Sequence, residues 1–236
     1  MTRQVLVLTG KVLPDKSETK EQEAREHLVS EHCLYLTPGL YVRLDQLVRE
    51  HAGMPLAVFD LDERRSGVLE PMDWAYCSPA GDGRPGCSSG KSSSAGITTI
   101  EIANKIPLDE IRSARRLELD LVRDIPLELF YEWLVWHEIH HSVHDDPLVA
   151  AGIDIHGHPG IKSAGDRIKL MQAMELEADR ASFHRLFPKR TLMAGTSQGL
   201  QKVKEIESYL ELLHEIRAKR GIKQMNPPVD NSLAHR

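Results

Sequence analysis

The chain has 236 residues and a net charge of −5; 41% of it is hydrophobic, 28% charged and only 5% aromatic. That composition describes one large globular domain or two small ones, with a core of Leu, Val, Ile and Ala rather than rings. The acidic balance excludes nucleic acid as the main partner, and the basic pairs Arg64–Arg65, Arg115–Arg116, Lys189–Arg190 and Lys219–Arg220 are short and scattered, as on a solvated surface.

MTRQVLVLTGKVL at the start is too short in its apolar run for a signal segment and has no small-residue cleavage site. No apolar run reaches the roughly 20 residues that span a bilayer. A cytoplasmic protein without membrane contact is expected. Cys33, Cys77 and Cys87 form no C-x-x-C pair and agree with a reducing compartment.

QVLVL at 4–8 predicts a strand, and 17–32 a helix opened by Ser17 or Thr19. GLYVRLDQLVREHAG at 39–53 predicts a second helix closed by Gly53, and PLAVFDLD at 55–62 a strand. The Gly/Ser/Pro segment 78–96 reads as a mobile loop. Within it GCSSGKS at 86–92 imitates a phosphate-binding loop, but three residues separate its glycines where four are needed. The strand-like ITTIEIAN at 97–104 follows, not a helix. A helix is expected over 107–122, and another runs from a cap at Asp124, past Pro126, through LELFYEWLVWHEIHHSV. DIHGHPG at 154–160 reads as a loop. Further helices are expected at about 164–186 and 197–219, the last with an apolar stripe of Leu200, Val203, Ile206, Leu210, Leu213 and Ile216. That stripe packs on the chain's own core or pairs with a partner or second copy. The organisation expected is an N-terminal α/β region over 1–96, a core over 97–222 and a disordered tail over 223–236, all in one compact unit. The N-terminal part is assigned to substrate recognition and the 78–96 loop to a cover.

WHEIHHSVHDD at 136–146 carries the chemistry. His137, Glu138 and His141 match H-E-x-x-H. Residues i and i+4 share a helix face one turn apart, so two imidazoles converge on one zinc. Glu138, about 100° round the helix, is placed to reach a water held by the metal and act as general base on a carbonyl. His140 and His144 repeat the spacing without a carboxylate between and rank second. In a chain with 12 histidines the motif arises by chance roughly once in twenty such chains, so more is required. LELFYEWLVW before the motif marks a core helix, where an unpartnered histidine is costly. MELEADRAS at 174–182 offers Glu175 as third ligand, with Asp179 one turn on to accept a hydrogen bond from a ligand imidazole. Ala178 and Ala181 allow close approach. ITTIEIAN offers a strand edge for an extended peptide.

H-E-x-x-H followed by E-x-x-x-D resembles the gluzincin metallopeptidases. E-x-E-A-D-R at 175–180 resembles the HtpX-type membrane peptidases and, more closely for a chain without a spanning segment, the soluble ImmA/IrrE-type metallopeptidases. The resemblance covers roughly 97–186. It implies an α+β, zincin-like fold: a small sheet with an active-site edge strand, packed on helices that carry the motif. It implies zinc held by His137, His141 and Glu175, Glu138 as the catalytic residue, and a protein or peptide substrate. This sequence departs from the pattern in having His at 140, and in a spacing of 34 residues from His141 to Glu175. His144, His156 and His158 are therefore alternatives as third ligand or oxyanion donor. The metzincin extension needs Gly at 144 and His at 147, where His144 and Pro147 stand, and no deformylase-type cysteine motif is present. Cys77 or Cys87 is either an inhibitory thiolate on zinc or a plain thiol. The alternative to an endopeptidase of narrow specificity is a metal-stabilised interaction module without catalysis.

Overall fold

The computed structural model describes residues 28–29, 32–65, 74–79, 97–114, 125–144, 159–190 and 197–219. Their helices are α1 (Pro38–Ala52), α2 (Leu61–Arg65), α3 (Leu108–Ala114), α4 (Phe130–Val143), α5 (Ala164–Leu186) and α6 (Ser197–Lys219). Strands β1 (Leu28–Val29), β2 (Cys33–Tyr35) and β6 (Lys105–Pro107) form one antiparallel sheet in the order β1-β2-β6. Strands β3 (Leu56–Phe59), β4 (Ala75–Pro79) and β5 (Ile97–Ala103) form a mixed sheet in the order β3-β5-β4, with β3 parallel and β4 antiparallel to β5. The architecture is α+β.

Local chemistry explains the boundaries. The Thr37 hydroxyl accepts the Leu40 N–H at 3.3 Å and Pro38 occupies the first turn, so α1 starts there. It stops at Gly53, whose φ of 69° suits glycine and lets its N–H reach the Arg49 carbonyl at 3.1 Å. β3 is shorter than the expected strand. Asp60 Oδ1 accepts the N–H groups of Asp62 (2.9 Å) and Glu63 (3.1 Å), which turns the chain into α2. Leu28–Val29 are strand where a helix was expected, because they pair with Leu34–Tyr35. Residue 107 likewise ends β6, paired to Cys33, so α3 starts only at Leu108.

The expected edge strand is a correction. Ile97–Ala103 is the central strand, with Leu56 paired to Ile100 on one side and Cys77 on the other. The outer position beside α4 belongs to β4, whose last residues, Ser78 and Pro79, suggest a loop by composition but pair with β5.

A short 3-10 turn at Leu127–Leu129 precedes α4. Phe130, Tyr131, Val135 and Ile139 of α4 join Ile100, Ile102, Leu44 and Val48 in the main core. The Tyr131 hydroxyl donates to the Ala103 carbonyl at 3.1 Å and anchors α4 to the end of β5. α5 opens on a capping box: Ser163 and Asp166 satisfy each other's backbone N–H. α6 lays Val203, Ile206, Leu213 and Ile216 against Leu170, Ala173, Met174 and Leu176 of α5, so its stripe is used within the chain. Leu200 departs from that stripe and is about half exposed.

The sheet β3-β5-β4 draws strands from both sides of residue 96. Among the described residues no helix is long and apolar enough to cross a membrane. The expected strand at 4–8, most of the helix at 17–32, the segment 80–96 with Cys87, Asp124, His156, His158 and the tail lie outside the described residues.

Candidate metal centre

Toward its C-terminal end α4 buries His137, Glu138, His140, His141 and Ser142, and the residue that caps it, His144, is buried too. Burial without partners would be costly for each of them. Three of these histidines enter two clusters with acids of α5: His137 and His141 in one, His140 in the other.

The first cluster joins His137, His141 and Glu175. His137 Nε2 stands 2.9 Å from His141 Nε2 and 3.1 Å from Glu175 Oε2, and His141 Nε2 is 3.5 Å from Glu175 Oε1. One donor atom from each residue lies within 4.8 Å of the others, and the group could hold a metal ion. Tetrahedral ligands at zinc's usual bond lengths of about 2.0–2.1 Å stand about 3.3 Å apart, within the span of these contacts. Two imidazole nitrogens 2.9 Å apart need a shared proton or cation between them, so the donor set fits a metal chemically as well as in spacing.

Asp179 is one helical turn beyond Glu175. Its Oδ1 lies 2.9 Å from His137 Nδ1, the nitrogen facing away from the group. Burial alone would push the His137 ring down, but Asp179 and Glu175 outweigh it and raise it well above the usual histidine range. Packing beside α4 pushes Glu175 up although its side chain is exposed, and His137 and His141 overcome this to hold it well below the usual carboxylate range. The ring of His137 thus lies between two carboxylates that favour its protonated form. A cation bound at Nε2 would take the place of a proton there.

Glu138 lies outside the three-donor group. Its carboxylate accepts from the Cys77 thiol of β4 at 3.3 Å, and its backbone carbonyl lies 3.2 Å from the same sulfur. Burial raises Glu138 above the usual carboxylate range, against the pull of His137 and His141. Cys77 is buried, forms no disulfide and is not in the three-donor group.

The second cluster gathers on Glu177. His140 Nε2 lies 3.4 Å from Glu177 Oε2, off hydrogen-bond geometry. His214 Nε2 is 2.8 Å from Oε1, and Arg217 Nη1 donates to Oε2. Burial pushes His140 down to about 4 despite Glu177. Burial pushes Glu177 up, but His140, Arg217 and His214 hold it well below the ordinary range. His144 places Nδ1 2.8 Å from the His140 carbonyl, and its ring lies 4.2 Å from the His140 ring, tilted by 43°, so it closes α4 and is not in the donor group.

Sequence reasoning passed over Glu177, His214, Arg217 and the contact of Cys77 with Glu138. Glu177 had a signal of its own, the second acid of M-E-L-E. The other three lie far from the motif in sequence, and nothing local marked them. Compared with known protein families, curated proteins and solved structures, the chain finds no match.

Proposed function

We propose that the protein is a zinc-dependent endopeptidase of zincin-like architecture, similar to the soluble gluzincins and narrow in specificity, working in a reducing cytoplasm. One observation carries the reading: His137 Nε2, His141 Nε2 and a Glu175 oxygen converge, with the buried carboxylate of Glu138 on the adjoining residue. Two imidazoles and one carboxylate are the donor set of a catalytic zinc with an open position. Bound there, zinc supplies Lewis acidity and a water nucleophile near neutral pH.

The chain's own residues supply the rest. Asp179 accepts the His137 Nδ1–H, which fixes the tautomer and turns Nε2 toward the group. Glu138 takes a proton from the attacking water and returns it to the leaving amine, and burial brings its basicity nearer working pH. Cys77 holds one oxygen of that carboxylate from β4. An extended peptide pairs with the outer edge of β4, where β5 is already paired on both sides.

The test is elemental analysis of protein purified without added metal, with peptide-library cleavage on the same sample. One zinc per chain, lost in His137→Ala and in Glu175→Ala, together with cleavage products, is the expected result. Zinc retained in Glu175→Ala moves the third ligand to another residue. Absence of metal after incubation with zinc overturns the reading, and zinc without cleavage leaves a metal-stabilised interaction module.

A further inference from the structure

Arg217 has no exposed surface at all, and a buried guanidinium demands a counter-charge. It stands on α6, a helix that contributes nothing to the three-donor group. Its partner is Glu177, whose other oxygen receives His214 of the same helix at 2.8 Å. Across from them the Glu177 carboxylate faces His140 of α4 at 3.4 Å. One carboxylate therefore meets α4, α5 and α6.

Its level in the fold matters. His140 adjoins His141, and Glu177 is two residues beyond Glu175. Two residues are about 200° round a helix, so Glu175 and Glu177 leave α5 at well-separated points, although both reach histidines of α4. α5 is held at Glu177 by a hydrogen-bonded ion pair and presents a metal donor at Glu175. A carboxylate about 5–6 Å off the helix axis moves by about 0.5 Å when the helix turns by about 5°. That displacement is about the tolerance of a metal constellation.

We propose that Glu177, clamped by Arg217 and His214, is a positioning residue for the metal group, and that α6 through this clamp sets where Glu175 stands between His137 and His141. The inference rests on the metal reading above. It makes the C-terminal helix part of the centre without giving it a ligand. A merely structural ion pair would stabilise the fold and leave metal affinity alone, or lower affinity whatever the ligand at 175.

The experiment compares zinc dissociation constants, by chelator competition and calorimetry, for the parent and for Glu177→Gln/Arg217→Met. Replacing both partners avoids leaving an uncompensated buried charge, which guards the fold; His214→Gln, at a half-exposed position, is the milder companion. Each is repeated on Glu175→Gln. The expected result is zinc binding weakened about 10–100-fold in the parent background, with a smaller loss for His214→Gln. On Glu175→Gln no further loss is expected, and the visible spectrum of the cobalt-loaded double variant should differ from the parent's. Equal losses in both backgrounds, or undiminished affinity in the double variant, overturn the positioning role while the metal reading stands. A parent that binds no zinc overturns both.

Discussion

Glu175 and Glu177 stand two residues apart on one helix, each against histidines of α4, and the two clusters they make are opposites. At Glu177 the positive charge is built in: the Arg217 guanidinium is covalently part of the chain. At Glu175 no Arg or Lys approaches among the described contacts, and the partners are two imidazoles whose nitrogens face each other. Both carboxylates are drawn well below their ordinary range by these partners. The difference teaches what separates a tie from a site. Where a fixed cation completes the charge balance the cluster is closed; where only titratable donors converge, a proton or a metal must complete it.

The strongest way to sharpen that contrast is Glu138→Gln, which separates holding a metal from using it. Turnover should fall about 10²–10⁴-fold with zinc content unchanged; peptide cleavage beside elemental analysis reads both, and undiminished cleavage breaks the assignment. Next comes the closed cluster. Arg217→Met should lower the free energy of unfolding by about 3–5 kcal/mol, measured in urea with a chelator present so that metal plays no part.

The open cluster should respond to metal instead. Zinc at a hundredfold excess over its dissociation constant should raise the stability of the parent by about 2.7 kcal/mol and leave His137→Ala unmoved, as thermal melts will show. Asp179→Asn should weaken zinc about 10–100-fold by loosening the His137 tautomer, read by chelator competition.

The smallest effect lies at the start of α5, away from both clusters. The Tyr209 and Ser163 hydroxyls and the backbone N–H of Lys162 hold Asp166 down to about 2, below the ordinary 3.8. A depressed carboxyl stabilises the fold fully above pH 3.8, and that contribution disappears as pH falls from 3.8 toward 2. Acid melts of Asp166→Asn should lack the part of the slope that the parent shows in this window.

Much of this arrangement is local and therefore legible. α1, α5 and α6 begin and end close to where caps and apolar periodicity place them, because Thr37, Gly53 and the Ser163–Asp166 box act within a few residues. The shared face of His137 and His141 follows from helical pitch alone. The strands were less legible. Composition pulled Ser78 and Pro79 into a loop, although their pairing with β5 holds them in β4. The short strands β1 and β6 exist only because β2 lies between them.

By itself the sequence determined the long helices α1, α4, α5 and α6, the motif face on α4 and the acids available on α5, since each depends on hydrogen bonds and spacings a few residues long. Only the tertiary structure decided that β5 is central and β4 at an edge, that Cys77 meets Glu138, and that Glu175 comes within 3.1 Å of a histidine 38 residues away. It alone decided which acid of α5 receives Arg217. These outcomes hang on packing between distant segments, where a helix's rotation against its neighbours, and not its own residues, selects the partner.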